Sequence, residues 1–350
     1  MPMQRAFRFV VRSFVAAFFL CGLLVGVRPI AAQQPYKIVD HWKLSGDGGW
    51  DDLRADPPAH RLYLTRGARV DVVDTQTGKL VGSIAGLHGT HGIALDAIGK
   101  FGFISDGGGN AVVVFDRATL AVVTTVPAGT NPDAIIFEPF TKTVWAFNGR
   151  SNDATVIDAA TRKVVATIPL HGKPEFAVVD GWGTVFVNIE DKNELVRLDA
   201  KSNKLTAEWA LTGCESPSGL ALDVTGGRLF SVCDGKKMVV TDAKTGKVLA
   251  SAAIGDGPDG AGWDAKDKLA FSSNGGSGTL TVIDAKAPGY PVLEELATQR
   301  GARTMTYDPA SDRIYLVTAE FGPRPAPTAE NPRPRPAIIP GSFVVLAVGR

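Results

Sequence analysis

A phrase of apolar residues ending in Asp returns along this chain every 41 to 43 residues. It reads Val72-Val73-Asp74, Val114-Phe115-Asp116, Val156-Ile157-Asp158, Val196-Arg197-Leu198-Asp199, Val240-Thr241-Asp242 and Val282-Ile283-Asp284. A second phrase precedes each and recurs once more after the last: an apolar strand ending in an acid, at Asp56, Asp96, Glu138, Asp180, Asp223, Asp264 and Asp308. Two independent markers with one period mean that a single supersecondary unit is repeated, and that its neighbours must bury it.

Each unit reads as four short strands. In the second, Gly92 to Leu95, Phe101 to Ser105, Ala111 to Phe115 and Leu120 to Val126 are apolar runs separated by Asp-, Asn- and Gly-rich turns. Those turn residues supply positive φ or bond their own backbone. Asp74-Thr75-Gln76-Thr77-Gly78-Lys79 and Asp242-Ala243-Lys244-Thr245-Gly246-Lys247 are tight hairpins. The strands are rich in Val, Ile and Phe on both faces, as expected of sheets covered on both sides. Seven acid-terminated units predict an all-β, seven-bladed β-propeller. The last unit runs out after Phe343 to Val348, and Tyr36 to Leu44 is a spare strand ahead of the first. Pairing the two closes the ring and removes two exposed edges.

The phrases Asn131-Pro132-Asp133-Ala134-Ile135, Pro217-Ser218-Gly219-Leu220-Ala221 and Thr281-Val282-Ile283-Asp284 resemble the YVTN-type propeller repeat, as in the YncE-like family of exported bacterial proteins. The resemblance covers residues 36 to 350. It implies a propeller and leaves function open, since distant propellers include lactonases and dehydrogenase subunits.

Residues 1–32 have the layout of a secretory signal peptide: Arg5, Arg8 and Arg12, an uncharged run from Ser13 to Val27, then Ala31-Ala32. The run is too short to span a bilayer well. Residues 33–350 then form the propeller of a periplasmic or secreted protein with no membrane span after cleavage. The whole chain has a net charge of +1, and the signal segment holds four Arg and no acid, so the remainder is slightly acidic. No nucleic-acid footprint is present, and a monomer is expected. Cys21 leaves with the signal peptide. Cys214 and Cys233 remain, at one face of the fifth unit, where the repeat predicts a disulfide.

The residue five before each acid marker starts the innermost strand: Asp51, His91, Asp133, Glu175, Ser218, Asp259 and Arg303. All are polar, and in a propeller they ring the mouth of the central channel on its top face. The ends of the second strands add Arg66, Asp106, Asn148, Asn188, Glu190, Asp234, Asn274 and Glu320. Oxygen-rich rings suit Ca²⁺ or another divalent cation, with Asp133, Glu175 and Asp259 the candidate ligands. They also suit a polar small molecule or a protein partner, with Lys173 and Arg303 offered to an anion. No G-x-S-x-G, H-E-x-x-H or C-x-x-C motif is present. The expectation is therefore a non-enzymatic binding protein. The alternative is a divalent-metal-assisted hydrolase of lactonase type. Residues 321–341 alternate Pro with Arg, which predicts an extended loop that can reach across the mouth.

Overall fold

The computed structural model describes residues 1–3, 34–46, 48–96, 99–328 and 334–350. The segment read as a signal peptide lies almost wholly outside them. Pro35–Arg350 form one compact unit. Among the described residues there is no α-helix, only strands and two single-turn 3₁₀ segments, and no helix long and apolar enough to cross a membrane.

The strands are antiparallel and short. Pro132–Glu138, Thr143–Asn148, Asp153–Asp158 and Lys163–Pro169 make one four-stranded sheet. Pro174–Val179, Thr184–Ile189, Glu194–Asp199 and Lys204–Ala210 make the next. Sheets built on Leu220–Asp223 and on Pro258–Asp264 follow in the same pattern. Lys37–Lys43 joins the sheet of Met305–Asp308, Arg313–Thr318 and Val344–Gly349, pairing with the last of these. The predicted closure by an N-terminal strand is thus observed, extended by a Leu44 N–H to Phe343 carbonyl bond of 3.1 Å.

One difference from the sequence expectation is instructive. The strands form six hydrogen-bonded sheets, one of them seven-stranded. Leu80–Leu95 runs 16 residues without a break. Its first half pairs with Arg69–Val73 and its second half with Gly102–Asp106. The same strand is therefore outermost in one four-stranded unit and innermost in the next.

The core lies between neighbouring sheets. Trp145, Phe147 and Val156 pack on Val185, Val187 and Leu198 of the following sheet. Phe230 and Val240 pack likewise on Ala270 and Ile283. The cluster of Trp42, Tyr315 and Phe343 with Leu62 and Val73 joins the last sheet to the first. The middle strands of each sheet, such as Ala111–Asp116 and Thr143–Asn148, are buried on both faces, which is why they are apolar on both sides, while outermost strands such as Lys204–Ala210 are largely exposed.

The turns repeat one device. The carboxylate of Asp74 accepts the Gln76 and Thr77 N–H and the Thr77 hydroxyl. Asp116, Asp158, Asp199 and Asp242 do the same in their turns. The Asp of the repeat is conformational: it closes the hairpin.

The predicted disulfide is present. Cys214 and Cys233 are bonded with a Cα–Cα distance of 5.3 Å. In the Pro/Arg-rich segment, the Gly322 N–H donates to the Ala337 carbonyl at 2.8 Å and the Ile339 N–H to the Glu320 carbonyl at 2.9 Å. Its base is a short ladder; residues 329–333 lie outside the described residues.

Candidate functional site

Each innermost strand begins at a cavity of about 960 Å³, lined by Asp51, His91, Asp133, Glu175, Ser218, Asp259 and Arg303. The starts of all these strands therefore converge. The neighbouring sheet fixes several of them through the main chain. Ser105 Oγ donates to the Asp133 carbonyl. Asn188 Nδ2 donates to the Ser218 carbonyl at 2.9 Å. Ser273 Oγ donates to the Arg303 carbonyl at 2.5 Å, and Thr304 Oγ1 to the Asp51 carbonyl at 2.6 Å. A side chain on a rigid, doubly buried sheet thus sets the place of the next mouth residue.

The mouth side chains form two linked groups. His91 Nδ1 donates to Asp51 Oδ2 at 2.5 Å and lies 3.6 Å from Asp133 Oδ1. The other oxygen of Asp51 takes Arg303 Nη2 at 2.7 Å, while Arg303 Nη1 is paired with Asp259. Across the mouth Lys173 Nζ lies 2.6 Å from Glu175 Oε1 and is also paired with Glu190. Two glycines make room. A Cβ on Gly107 would stand 2.6–2.7 Å from the His91 imidazole, and one on Gly275 2.6 Å from Arg303 Cβ.

The electrostatics follow from recessed carboxylates in excess of cations. Asp51, Asp52, Asp133, Glu175, Glu190 and Asp259 face the cavity with Lys173, Arg303, Arg54 and Arg335. Burial, then the charge of Asp133, pushes Glu175 up to about 8. Burial, opposed by Arg303, leaves Asp259 raised to about 6. Burial raises Asp52 to about 7 and lifts Asp133 as well. Asp51 differs. Burial would raise it, but the His91 hydrogen bond and the Arg303 charge outweigh burial and hold it below the usual range. Burial would depress His91, but its bond to Asp51 and the charges of Asp133 and Asp51 raise it.

The second set of candidates is placed otherwise. Asn148, Asn188 and Asn274 are wholly buried inside the sheets and do not line the cavity. Asn148 Nδ2 donates to Thr155 Oγ1 at 2.9 Å, and Asn274 Nδ2 to Thr281 Oγ1 at 2.8 Å. Asn188 Oδ1 accepts from Ser231 Oγ at 2.9 Å. Arg66 is buried over the Phe343 ring, 3.6 Å from its centroid. Asp106 accepts from His88, and Glu320 is exposed and off the cavity wall. Of that set only Glu190 reaches the cavity. The three carboxylates first considered for a cation are also kept apart, since Glu175 belongs to Lys173 and Asp259 to Arg303.

Asp52 and Arg335 belong to the cavity wall and were not singled out from the sequence. Asp52 was masked by its neighbour Asp51; Arg335 was one of several Arg in the Pro-rich segment. Trp50, also on the cavity wall, packs on Phe343 and Phe321, with centroids 5.6 and 6.0 Å away.

No protein family matches the chain by sequence, and no curated protein sequence matches it. Solved structures match well. Hydrazine synthase of Kuenenia stuttgartiensis is 17% identical, covers 78% of this chain and 94% of its own, and has a TM-score of 0.70. U3-55K is 9% identical over 89% of this chain and 98% of its own, at 0.72. The WD40 repeats of RRP9 are 10% identical over 90% of this chain and 100% of their own, at 0.73. Such likeness establishes architecture alone: the chain is a β-propeller, a fold that serves generally as a scaffold for ligands and partners.

Proposed function

We propose that this chain is an exported, seven-bladed propeller of the YncE-like kind that binds a small polar ligand at the top-face mouth of its central cavity, without turnover. The observation that carries the reading is convergence. Six charged residues from separate units, Asp51, His91, Asp133, Glu175, Asp259 and Arg303, line one cavity, large enough for a drug-sized molecule. Carboxylates stand beside Lys173 and Arg303 at the mouth, which favours a polar ligand carrying positive charge or both charges. Cys214 and Cys233 share a disulfide, and His91 is engaged with carboxylates rather than with a hydroxyl or thiol. Nothing here builds an activated nucleophile.

The test is a thermal-shift screen of cationic and zwitterionic small molecules on the mature protein and on an Asp51→Asn/Asp259→Asn double variant. A compound that raises the wild-type melting temperature and fails on the variant supports the reading. If every stabilising compound acts equally on both, the mouth is not the site. Export is tested by the mass of the processed protein, expected to begin after Ala32.

A further inference from the structure

We infer that Asp51, His91 and Asp133 form a binding site for one divalent first-row transition-metal ion at the channel mouth. The inference rests on the mouth being the ligand site and specifies what first occupies it. The three residues sit at the same repeat position on successive innermost strands. Each offers one ligand atom, and these atoms lie within 4.8 Å of one another. Donors on a single Zn²⁺, at about 2.0–2.2 Å from the metal, stand roughly 3–4.4 Å apart. A small outward turn of the carboxylates from their present spacing admits an ion.

The donor set points to the kind of ion. One imidazole with two carboxylates suits Zn²⁺, Mn²⁺ or Fe²⁺ better than Ca²⁺, which prefers six or more oxygens. The imidazole presents Nδ1, the nitrogen that faces both acids. Gly107 packs against the other side of the ring, where a Cβ would stand 2.7 Å from Nε2. The ring is thus seated with its metal-facing nitrogen toward the cluster. Asp51 is oriented from behind, because Arg303 takes its other oxygen at 2.7 Å. A carboxylate ligand held in this way has the outer support that metal sites need.

A second observation is independent of the cluster. The same cavity carries Asp52, Glu175, Glu190 and Asp259 besides the two ligand carboxylates. Of its four Lys and Arg residues, Lys173 and Arg303 are paired with acids at the mouth. Three protein donors leave coordination positions open toward the cavity, where the ligand proposed above can reach the ion.

The experiment uses the mature protein stripped with a chelator and then dialysed free of it. Zn²⁺ is titrated calorimetrically, and Co²⁺ is followed by its visible absorption. One equivalent is expected. Affinity should fall at least about 100-fold in His91→Ala and in Asp133→Asn, and stay within about twofold in His41→Ala, a control outside the cavity. Circular dichroism melts confirm that each variant is folded, and Asp133→Asn keeps the test valid should His91→Ala unfold. No stoichiometric binding, or binding that both variants retain, overturns the site. If the small-molecule hits persist on metal-free protein, only the metal is lost and the binding reading stands. If the hits vanish while metal still binds, the reverse holds.

Discussion

The guanidinium of Arg350 lies 4.7 Å from the centroid of the Tyr36 ring, joining the strand that closes the propeller to the far end of its partner strand. Arg350 also donates to Asp267 at 2.7 Å and to Asp312 at 2.9 Å, with only 12% of its side chain exposed.

Arg350→Ala should therefore act on closure. It removes the ion pairs of Arg350 with Asp267, Asp312 and, at 3.6 Å, Asp264. With two of these acids about a third exposed, the loss is about 1–2 kcal/mol, less than for a fully buried pair. Deleting residues 33–45 should cost far more, because it strips a whole strand and uncovers the edge of Val344–Gly349. Chemical denaturation of the three proteins orders them. A deletion that unfolds at the same denaturant concentration as residues 33–350 would show that this strand does not hold the ring.

The Cys214–Cys233 bond closes a stretch of 19 residues. Loops of this length add about 3 kcal/mol by restricting the unfolded chain. Both sulfurs are buried among Leu211, Leu229 and Val239. The Cys214→Ser/Cys233→Ser pair should lower the melting temperature by several degrees. Two thiols titrating in native, unreduced protein would contradict the bond.

The turn aspartates predict an acid limit. Asp74, Asp158, Asp199 and Asp242 all sit below the ordinary carboxylate range, because hydroxyl and backbone N–H groups in their own turns donate to the ionised form. A depressed folded value stabilises the protein above the unfolded value, near 4, and the contribution is lost as pH falls through the folded one. Melting temperature should drop steeply between about pH 4 and pH 2. An Asp158→Asn/Asp242→Asn variant should start lower at neutral pH and lose less over that interval. Parallel curves for the two proteins would count against the turn acids as the cause.

The repeat made the architecture readable because its markers are structural parts: Val114-Phe115-Asp116 is a doubly buried strand end followed by the acid that caps its turn. The convergence of Asp51, His91, Asp133, Glu175, Ser218, Asp259 and Arg303 on one cavity follows from the same repeat, since one repeat position recurs in every unit. The asparagines were misplaced because a position at a strand end fixes height above the sheet and not the direction of the side chain. Asn148 and Asn274 point inward to Thr155 and Thr281, each seven residues on. That shared Asn-to-Thr spacing was present in the sequence and marks a hydrogen-bonded pair on facing strands. The unbroken Leu80–Leu95 strand differs from the sequence reading, in which a strand starts at Gly92; Gly86 and Gly89 take positive φ within the extended run.

Glu175 yields the sharpest pH dependence. Burial, then the charge of Asp133, lifts it to about 8 from an ordinary value near 4.5, even though Lys173 lies 2.6 Å away. The folded protein therefore holds a proton here that the unfolded chain has released once pH exceeds about 4.5. Stability is present below that value and declines as pH rises toward about 8. Glu175→Gln keeps the shape and removes the ionisation. The variant should match the wild type near pH 5 and melt at a higher temperature near pH 8.5, with a flatter profile between. Lys173 keeps Glu190 as a partner, so the substitution does not strand a charge. A Glu175→Gln protein that is less stable than wild type at pH 8.5 would mean that Glu175 stays ionised there and that its bond to Lys173 outweighs its burial.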